Sequence, residues 1–339
     1  MRMMGKKILS VIGTRPQYVK VKPFYDFCLK NNINHKIVDT LQHYSNNVSK
    51  SIIEDLDLKI DFPLQIKNEN EISFLSDSLL KIENILKQEK PDFVLVYGDT
   101  NSTFCAATVC YKMGIPLAHV EAGLRCGNIN IPEEVNRIFT DMVSQIRFCS
   151  SKKALKNKND IFCGDLEYEL LNSINPVIKF GNYGVMTIHR QSNIEPERLR
   201  GILDFCASIP NNIRFFAHHR TRPVLERIKI PSNIEVYESC SYSQMVRNLS
   251  ECKFIITDSG GLNKTAPFFG KKALIMRKQI EWTETEERGH ARRSCLNGDD
   301  IEWLLDSPRQ RDKRFYLTSN DPSYIMYNTI KRYFIDSLI

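Results

Sequence analysis

Short apolar runs alternate with amphipathic stretches along most of the chain. In the first half the runs read KKILSVIG, HKIVDT, DFVLVYGD, IPLAHVEAG and IRFCSS, and in the second half GVMTIH, IRFFAHH, IEVYE, FIITDSGG and KALIMR. Helix-like stretches such as EISFLSDSLLKIENILKQEK and EPERLRGILDFCASI lie between them. Alternating strands and helices form parallel sheets covered on both faces, so we predict an α/β chain whose ten strands form two doubly wound sheets.

The pattern changes near residues 165–182, where DLEYELLNSINPVIKFGNYG passes from helical periodicity to a stretch with Asn, Pro and Gly, which are typical of turns and loops. A chain of 339 residues is also longer than one typical domain. We therefore predict an N-terminal Rossmann-like domain over residues 1–170 and a C-terminal nucleotide-binding one over residues 171–321, facing each other across a cleft. The helical pattern of residues 322–339 predicts a helix that packs back on the first domain.

Composition narrows the class of protein. No apolar run approaches the roughly 18 residues of a membrane-spanning helix, so we expect no membrane partner. The ten cysteines are scattered without a C-x-x-C pair, which predicts reduced thiols in a cytoplasmic protein rather than a disulfide framework or zinc site. The net charge is +7, but no nucleic-acid motif accompanies the basic runs. An anionic small molecule is the expected partner.

Polar residues follow the apolar runs directly, at the strand ends where parallel sheets bind ligands. In the first half these segments are GTRP with Arg15, GDT with Asp99 and EAGLR with Glu121. In the second half they contain His189 and Arg190, His218 and His219, the run from Asp258 to Gly261, and Arg277. TDSGG resembles a glycine turn opening a helix, whose free N–H groups suit a diphosphate.

The acidic residues each have a structural explanation beside a functional one. A carboxylate that ends an apolar strand, as Glu121 does, must be paired or used, and Arg125 or Arg137 is a candidate partner. Asp99 is placed to cap a helix, although Thr100 or Asn101 could cap it instead. Glu133 and Glu134 open a helix after Pro132, where one of them can serve the helix dipole alone.

Several other sites are disfavoured. No close His, Asp or Cys spacing indicates a metal, no G-x-S-x-G elbow indicates a serine hydrolase, and GTRPQYVK is not the G-x-G-x-x-G of a nicotinamide site. A lone histidine such as His189 is more often structural than catalytic. Weaker candidates are His43, Tyr44 and His219, and the residues treated as background are His35, His119, His218 and His290.

Seven short motifs occur in a fixed order between about Gly13 and Glu284: GTRPQYVK, VYGDTNST, HVEAGLR, PEEVNR, the His-Arg of MTIHRQSN, TDSGG, and the segment from Arg277 to Glu284. Together they resemble the UDP-N-acetylglucosamine 2-epimerase family, in its non-hydrolysing and hydrolysing branches. The resemblance implies two Rossmann-like domains of the glycosyltransferase-B type with the active site in the cleft. It also implies a homodimer, a UDP-amino sugar substrate, and neither metal nor redox cofactor.

Family members invert carbon 2 of the sugar by eliminating UDP to leave a glycal and then adding it back. The resemblance assigns the proton transfers to Asp99, Glu121 and Glu133, and places His189 near the diphosphate. We expect raised pKa values among the acids at this strand end. The substrate-binding residues that it implies are Arg15, Lys20, Arg137, Arg190, His219, Ser259, Gly260, Gly261, Thr265 and Arg277.

Three departures from the family pattern concern the substrate. Thr265 stands where the family has a glutamate that grips the ribose hydroxyls, and one hydroxyl cannot replace a bidentate carboxylate. Gln17 replaces the usual glutamate of the first loop. The segment Ile280 to Glu284 reads IEWTE, which is closer to a variant associated with modified amino sugars.

The sequence therefore predicts a 2-epimerase of UDP-N-acetylglucosamine or a modified UDP-amino sugar, of the non-hydrolysing branch in preference to the hydrolysing one. One alternative is a hydrolysing 2-epimerase that releases UDP and a free N-acetylmannosamine-type sugar. Another is a catalytically inactive nucleotide-sugar-binding homologue, for which Thr265 is the best evidence. A glycosyltransferase is conceivable on fold alone, because fold does not determine function. A role in surface polysaccharide synthesis is expected by analogy.

Overall fold

The chain divides into two compact units. In the computed structural model, which describes residues 5–42, 46–67 and 69–336, unit 1 comprises Met1–Ser173 with Tyr316–Ile339, and unit 2 comprises Ile174–Phe315. The sequence-based boundaries were 170 and 321. The chain re-enters unit 1 at Tyr316, whose ring packs edge-on against Tyr168 at 5.3 Å between centroids and whose carbonyl accepts the amide of Asp165.

Unit 1 contains a seven-stranded sheet, in which every pairing between the described strands is parallel. The strand order is β3-β2-β1-β4-β5-β6-β7. All five residues of FVLVY in the fourth strand are buried, because helices cover both faces of the sheet. The strands are β1 (Lys7–Ile12), β2 (Asn34–Asp39), β3 (Phe62–Pro63), β4 (Phe93–Tyr97), β5 (Leu117–Val120), β6 (Ile146–Cys149) and β7 (Asp160–Phe162).

The helices of unit 1 begin and end at recognisable signals. Asn70 caps α3 by accepting the Ser73 amide, and Gly114 ends α4 in the left-handed conformation that glycine tolerates. The helices between Arg15 and Ile174 are α1 (Arg15–Lys30), α2 (Asn46–Asp55), α3 (Glu71–Glu89), α4 (Asn101–Met113), α5 (Pro132–Val143) and α6 (Leu166–Ile174), the last of which ends at the unit boundary.

Unit 2 repeats the arrangement with a six-stranded parallel sheet of order β10-β9-β8-β11-β12-β13. Its strands are β8 (Tyr183–Thr187), β9 (Asn212–Phe216), β10 (Ile234–Tyr237), β11 (Phe254–Thr257), β12 (Lys272–Ile275) and β13 (Ala291–Arg293). Its helices are α7 (Gln191–Ile194), α8 (Pro196–Ala207), α9 (Arg222–Leu225), α10 (Tyr242–Glu251), α11 (Gly260–Phe269), α12 (Thr283–Glu287) and α13 (Gly298–Leu305).

The last helix, α14 (Pro322–Asp336), belongs to unit 1. Its aromatic side chains pack on that unit, with Tyr327 at 5.6 Å from Phe27 and Tyr333 at 5.5 Å from Phe93 between ring centroids. At its first turn, the Ser323 amide and hydroxyl both donate to Glu169 on α6 at 2.9 Å.

The strand count differs from the sequence prediction. The apolar runs predict ten strands, and thirteen strands occur among the described residues. The additional strands are β3, β7 and β13, which lie at sheet edges and have only two or three residues each. Such short edge segments are only half covered and carry no extended apolar run, so hydrophobic periodicity does not detect them.

Both sheets reverse their strand order at one place, between β1 and β4 in unit 1 and between β8 and β11 in unit 2. Successive connections run in opposite directions there and leave an open edge beyond the carboxyl ends of the two strands, which is where doubly wound sheets bind ligands. No helix in the described part of the chain is long and apolar enough to cross a membrane.

Candidate active site

Glu121 and Lys20 form an ion pair at the carboxyl edge of the unit 1 sheet. Glu121 follows β5 directly and has a left-handed backbone with a φ of 68°, which is uncommon outside glycine. A Cβ atom added at Gly98, which follows β4, would lie 3.5 Å from Glu121 Oε2 and 3.6 Å from Lys20 Nζ. Both separations are ordinary contacts, so it is the left-handed φ of 64° at Gly98 that favours glycine where the β4 loop passes this ion pair.

Asp99 belongs to the same edge and is held by α5. Its Oδ2 lies 2.5 Å from Arg137 Nη2, and its carbonyl accepts from Asn136 Nδ2 at 3.0 Å. The cap of α4 is Thr100, whose side chain accepts the Thr103 amide, so the capping interpretation of Asp99 is wrong. We call Lys20, Asp99, Glu121 and Arg137 the unit 1 cluster.

The two glutamates that open α5 have different environments. Glu134 is buried and accepts from the amides of Cys126 and Gly127 and from Arg137 Nη1 at 2.8 Å. Burial raises the pKa of Glu134, but these donors outweigh it and leave the pKa below its ordinary value. The expected raised pKa is therefore wrong for Glu134. Glu133 is half-buried and has no hydrogen-bond or ion-pair partner among the described residues.

Gln17 joins the loops that carry the cluster. Its Oε1 accepts from the amides of Gly13 and Thr14 at 2.8 and 3.0 Å, and its Nε2 donates to the Tyr97 carbonyl at 2.6 Å and to Thr103 Oγ1 at 3.0 Å. This buried amide uses both its donor and its acceptor, and it ties the loop after β1 to the end of β4.

Sequence reasoning missed a buried histidine beside the cluster. His119, on β5, has Nδ1 at 2.6 Å from Asp141 Oδ1 and Nε2 at 2.7 Å from the Gly98 carbonyl oxygen. Arg125 pairs with Asp141 Oδ2 at 2.7 Å, and Lys20 pairs with Glu121. The apolar run around His119 made it look like a core residue, and no sequence signal connects it with Asp141, which is 22 positions away.

In unit 2, His189 follows β8 and is oriented by Asp258, which follows the neighbouring strand β11. Their Nδ1 and Oδ1 atoms are 2.9 Å apart, and the Asp258 carboxylate also accepts from Asn193 Nδ2 and from the Arg190 amide. Burial raises the pKa of Asp258, but the bonds from His189, Asn193 and Arg190 outweigh it and keep the carboxyl ionised. The sequence pointed to the Asp258 segment without assigning this residue a role.

The N-terminus of α11 follows β11, the strand next to the one that ends at His189. Ser259 is the N-cap of α11 but accepts no capping hydrogen bond, so its side chain leaves the first amides of α11 uncapped. A Cβ atom at Gly260 would lie 3.5 Å from Arg277 Nη2. Arg277 forms a two-bond pair with Glu281 at 3.0 and 3.2 Å, and its Nε is buried without a hydrogen-bond partner. We call Ser259, Gly260, Gly261 and Arg277 the unit 2 anion site.

Thr265 lies within α11 and is buried at 2% exposure. Its hydroxyl donates to the Gly261 carbonyl of its own helix at 3.1 Å, so its only proton is already used there. The adjacent Lys264 is also buried and lies 5.5 Å from the ring centroid of Trp282.

The remaining predicted residues are more dispersed. Arg15 is the first residue of α1, and Arg190 has a buried Nε without a hydrogen-bond partner. His219 is exposed, and its ring centroid lies 4.0 Å from that of His218 at a tilt of 39°. The His218 ring lies 5.9 Å from the His189 ring. His43 and Tyr44 lie outside the described residues. Among the residues that are described, no group of His, Cys, Asp and Glu side chains is arranged to hold a metal ion.

Comparison with known proteins gives the family. The model described as UDP-N-acetylglucosamine 2-epimerase matches residues 28–160 and 163–332, which is most of the chain. The chain belongs to the UDP-N-acetylglucosamine 2-epimerase family. This is a family of isomerases, and the assignment agrees with the resemblance of the seven motifs.

Two curated 2-epimerases illustrate the similarity. A UDP-2,3-diacetamido-2,3-dideoxy-D-glucuronate 2-epimerase of Pseudomonas aeruginosa is 36% identical over 301 residues, covering 82% of this chain and 85% of its own. A UDP-N-acetylglucosamine 2-epimerase of Methanocaldococcus jannaschii is 31% identical over 333 residues, covering 88% of this chain and 90% of its own.

Solved epimerase structures share the fold. The crystal structure of the Methanocaldococcus jannaschii UDP-GlcNAc 2-epimerase in complex with UDP-GlcNAc and UDP has a TM-score of 0.84 at 29% identity, covering 96% of this chain and 99% of that one. The glycosyltransferase SnogD from Streptomyces nogalater has a TM-score of 0.59 at 10% identity and is similar in fold alone. The predicted α/β class with two doubly wound, glycosyltransferase-B-like domains is confirmed.

Proposed function

We propose that this protein is a nucleotide-sugar 2-epimerase that inverts carbon 2 of a UDP-linked 2-acetamido sugar, without a metal or a redox cofactor. The observation that carries the proposal is the unit 1 cluster, in which two carboxylates with cationic partners stand at the ends of neighbouring strands. A protein that only bound a nucleotide would have no need of two such carboxylates.

The proposed reaction begins with an elimination. A base removes the proton from carbon 2, the bond between carbon 1 and the diphosphate oxygen breaks, and UDP leaves with the electron pair. A double bond between carbons 1 and 2 remains. UDP then adds back at carbon 1 while an acid delivers a proton to the opposite face of carbon 2. The sequence of steps is redox-neutral.

The proton transfers are assigned to Asp99, Glu121 and Glu133. Asp99 is paired with Arg137 and Glu121 with Lys20, so each carboxylate is held at the end of its strand, where it can exchange a proton with carbon 2. Glu133 lies on the first turn of α5 and has no ion-pair partner among the described residues, which leaves it able to exchange protons with substrate or solvent.

Departure of UDP requires positive charge at the diphosphate, and the unit 2 anion site supplies it. The uncapped amides of α11 carry the positive end of the helix dipole, and Arg277 stands beside them. His189 is oriented by Asp258 through Nδ1, which leaves Nε2 available to donate to a phosphate or leaving-group oxygen. Arg15, Arg190 and His219 are proposed as further contacts to the substrate.

The substrate class is a UDP-amino sugar, and two members of it are proposed for testing. The Pseudomonas aeruginosa relative is named for UDP-2,3-diacetamido-2,3-dideoxy-D-glucuronate, and its 36% identity supports a modified amino sugar. The Methanocaldococcus jannaschii relative supports UDP-N-acetylglucosamine. Thr265 offers no free proton and no carboxylate, so we propose that it contributes less to ribose binding than a glutamate would.

The deciding experiment is proton NMR of the protein with each UDP-sugar in deuterated water. Incorporation of deuterium at carbon 2 together with a new UDP-linked 2-epimer supports the proposal. Free reducing sugar plus UDP moves the assignment to the hydrolysing branch. Absence of exchange with both sugars contradicts the proposal and favours the inactive binding homologue.

Glu121→Gln is the matched test of the site. Loss of general acid–base catalysis typically lowers the rate about 100- to 10,000-fold, and that is the expected fall in carbon 2 exchange. Glu89→Gln is the control, because Glu89 is also paired with lysines but lies at the end of α3, beside Lys7 at the start of β1. Equal rates in the two variants would remove Glu121 from the mechanism.

The proposal extends to a cytoplasmic homodimer. All ten cysteines are free and most are buried, which supports a reducing compartment. Sedimentation of the purified protein tests the dimer, and a monomer at micromolar concentration would contradict it.

A further inference from the structure

The His119–Asp141 pair is buried beside the unit 1 cluster, and the proposed proton transfers assign it no role. His119 has no exposed surface and Asp141 is only 5% exposed. His119 lies on β5 two residues before Glu121, and its Nε2 reaches across to the Gly98 carbonyl oxygen that precedes Asp99. The His119 ring therefore contacts the loop after β4, while the backbone of His119 belongs to β5, the strand that Glu121 follows.

Hydrogen-bond donors and acceptors determine how many protons this ring carries. A carbonyl oxygen can only accept, so His119 Nε2, at 2.7 Å from Gly98, must carry a hydrogen. The other nitrogen lies 2.6 Å from Asp141 Oδ1, and one proton must be shared between them. Either the ring is doubly protonated beside an ionised Asp141, or the ring is neutral beside a protonated Asp141.

The second oxygen of Asp141 decides between these two states. Its Oδ2 accepts from the Gly123 amide at 3.1 Å and from Arg125 Nη2 at 2.7 Å, and a guanidinium partner favours the ionised carboxylate. Burial raises the pKa of Asp141, but His119 and Arg125 outweigh it and hold the pKa below its ordinary value. Both ring nitrogens of His119 therefore face hydrogen-bond acceptors, Nδ1 the Asp141 carboxylate and Nε2 the Gly98 carbonyl oxygen.

The other charged groups near the pair leave this state in place. Arg147, the neighbour of His119 on β6, is itself paired with Asp160 at 2.5 Å. The Cys149 thiol is neutral, because burial raises its pKa to about 12. Asp141 is thus the one carboxylate that the structure pairs with His119 among the described residues.

The same carboxylate grips the chain on both sides of Glu121. Glu121 has a left-handed backbone φ of 68°, which costs free energy in a residue with a side chain. Such a conformation persists only where the surrounding structure holds it. Asp141 binds His119 two residues before Glu121 and the Gly123 amide two residues after it. A Cβ at Gly123 would meet the Ala154 carbonyl at 2.1 Å, so this loop has no room to shift.

We propose that His119 and Asp141 are positioning residues of the proposed 2-epimerase: the His119 ring holds the Gly98 carbonyl, and the Asp141 carboxylate holds the Glu121 loop, so that one buried hydrogen-bonded pair sets the spacing of the two proton-transfer carboxylates. The inference rests on the proposed function for its consequence on rate. The protonation state and the backbone strain do not depend on that function.

The first test is nitrogen-15 NMR of the histidine rings in the full-length protein. His119 is expected to carry hydrogen on both ring nitrogens at neutral pH, because each nitrogen lies against an oxygen acceptor. His35 is the internal contrast, because burial lowers its pKa to about 3 and its ring is neutral throughout. A neutral His119 ring at neutral pH would overturn the proposal, whatever the activity of the protein.

The second test is a double-mutant cycle on carbon 2 exchange. His119→Gln puts an amide oxygen against the Asp141 carboxylate, and we expect kcat to fall roughly 100-fold with KM little changed, because misplaced groups act on the reacting step. Adding Asp141→Asn supplies an amide donor to that oxygen and restores a neutral hydrogen-bonded chain to Gly98. The double variant is expected to recover kcat about tenfold over His119→Gln alone.

His35→Gln is the matched control, since it replaces another histidine of the same sheet, on β2, whose one side-chain hydrogen bond among the described residues joins Nε2 to Ser10 Oγ at 2.8 Å. It is expected to keep the wild-type kcat. Equal kcat losses in His119→Gln and His35→Gln, or a double variant no faster than the single one, would overturn the positioning role. Lack of exchange in the wild-type protein beside a doubly protonated His119 would instead contradict the proposed function alone.

Discussion

At the scale of single residues, the unit 1 edge depends on groups that never meet substrate in the proposed mechanism. Gln17 is the clearest example, because it accepts from two amides of the first loop and donates to the Tyr97 carbonyl and the Thr103 hydroxyl. A buried polar side chain that satisfies both ends of its amide rigidifies the segments it joins. Its neutrality matters, since an ionised carboxylate has no donor for Tyr97.

Gln17→Glu is expected to make stability depend on pH. The new carboxyl must stay protonated to donate to the Tyr97 carbonyl, so its pKa in the folded protein rises above the ordinary value of about 4.3. The variant should match the wild type at about pH 4 and lose about 1–3 kcal/mol as the pH rises through the folded-state pKa. Urea unfolding across this range measures the loss.

Gln17→Leu is the matched control, because it removes every hydrogen bond at all pH values. A pH-independent loss is expected for it. If Gln17→Glu also lost stability without any dependence on pH, the donor role assigned to Nε2 would be wrong.

At the scale of elements, the first turn of α14 is attached to α6 by one buried carboxylate. Glu169 accepts both the amide and the hydroxyl of Ser323, and burial raises its pKa to about 7. Because the folded-state pKa lies above the ordinary 4.5, the stability contribution is full below about pH 4.5 and is lost as the pH rises through about 7.

Glu169→Gln is expected to remove this dependence, since the amide oxygen still accepts from Ser323 and carries no charge. Amide hydrogen exchange of α14 should speed up between about pH 5 and about pH 8 in the wild type, beyond the intrinsic rate, by an amount on the order of 1 kcal/mol in opening free energy. The variant should show no such excess. An identical pH dependence in both proteins would assign the effect to other groups.

At the scale of the whole molecule, two sheets share the strand order 3-2-1-4-5-6 but differ in chain continuity. Unit 2 is one continuous segment, Ile174–Phe315, with its own buried core around Met186, Phe215 and Leu274. Unit 1 requires the return of the chain at Tyr316 and the docking of α14. The two units should therefore differ in whether they fold when expressed separately.

Residues 174–315 are expected to fold alone and to bind UDP, because the unit 2 anion site lies wholly within them. Calorimetric titration with UDP measures the affinity, and Arg277→Ala should weaken it about tenfold or more through the lost charge–phosphate contact. Carbon 2 exchange should be absent in this fragment. A folded fragment with no affinity for UDP would contradict the role given to the helix α11 terminus.

The fold was predictable where apolar runs are long enough to cross a covered sheet. All ten runs taken as strands are strands, and the helix-like stretches between them are helices. The sequence did not predict β3, β7 and β13, which have two or three residues each. They pair with the edge of a sheet that exists only after the longer strands have assembled. No local periodicity accompanies so short a pairing.

The candidate site divides in the same way. The sequence predicts that the candidate residues lie at the strand ends, because polar residues follow apolar runs directly at Asp99, Glu121, His189 and Asp258. Parallel sheets bring the carboxyl ends of their strands to one edge. The sequence by itself thus determined the fold class, the family and the edge where the candidate residues lie.

Only the tertiary structure decided which groups face one another. Lys20 pairs with Glu121, Arg137 joins Asp99 to Glu134, and His119 meets a carboxylate 22 positions away. Partners of a buried charge are chosen by distances of a few ångströms across separate elements, where burial makes an unpaired charge expensive. The amino-acid sequence specifies the types of these residues but does not show the distances between them. The pairs form only when the sheet has formed.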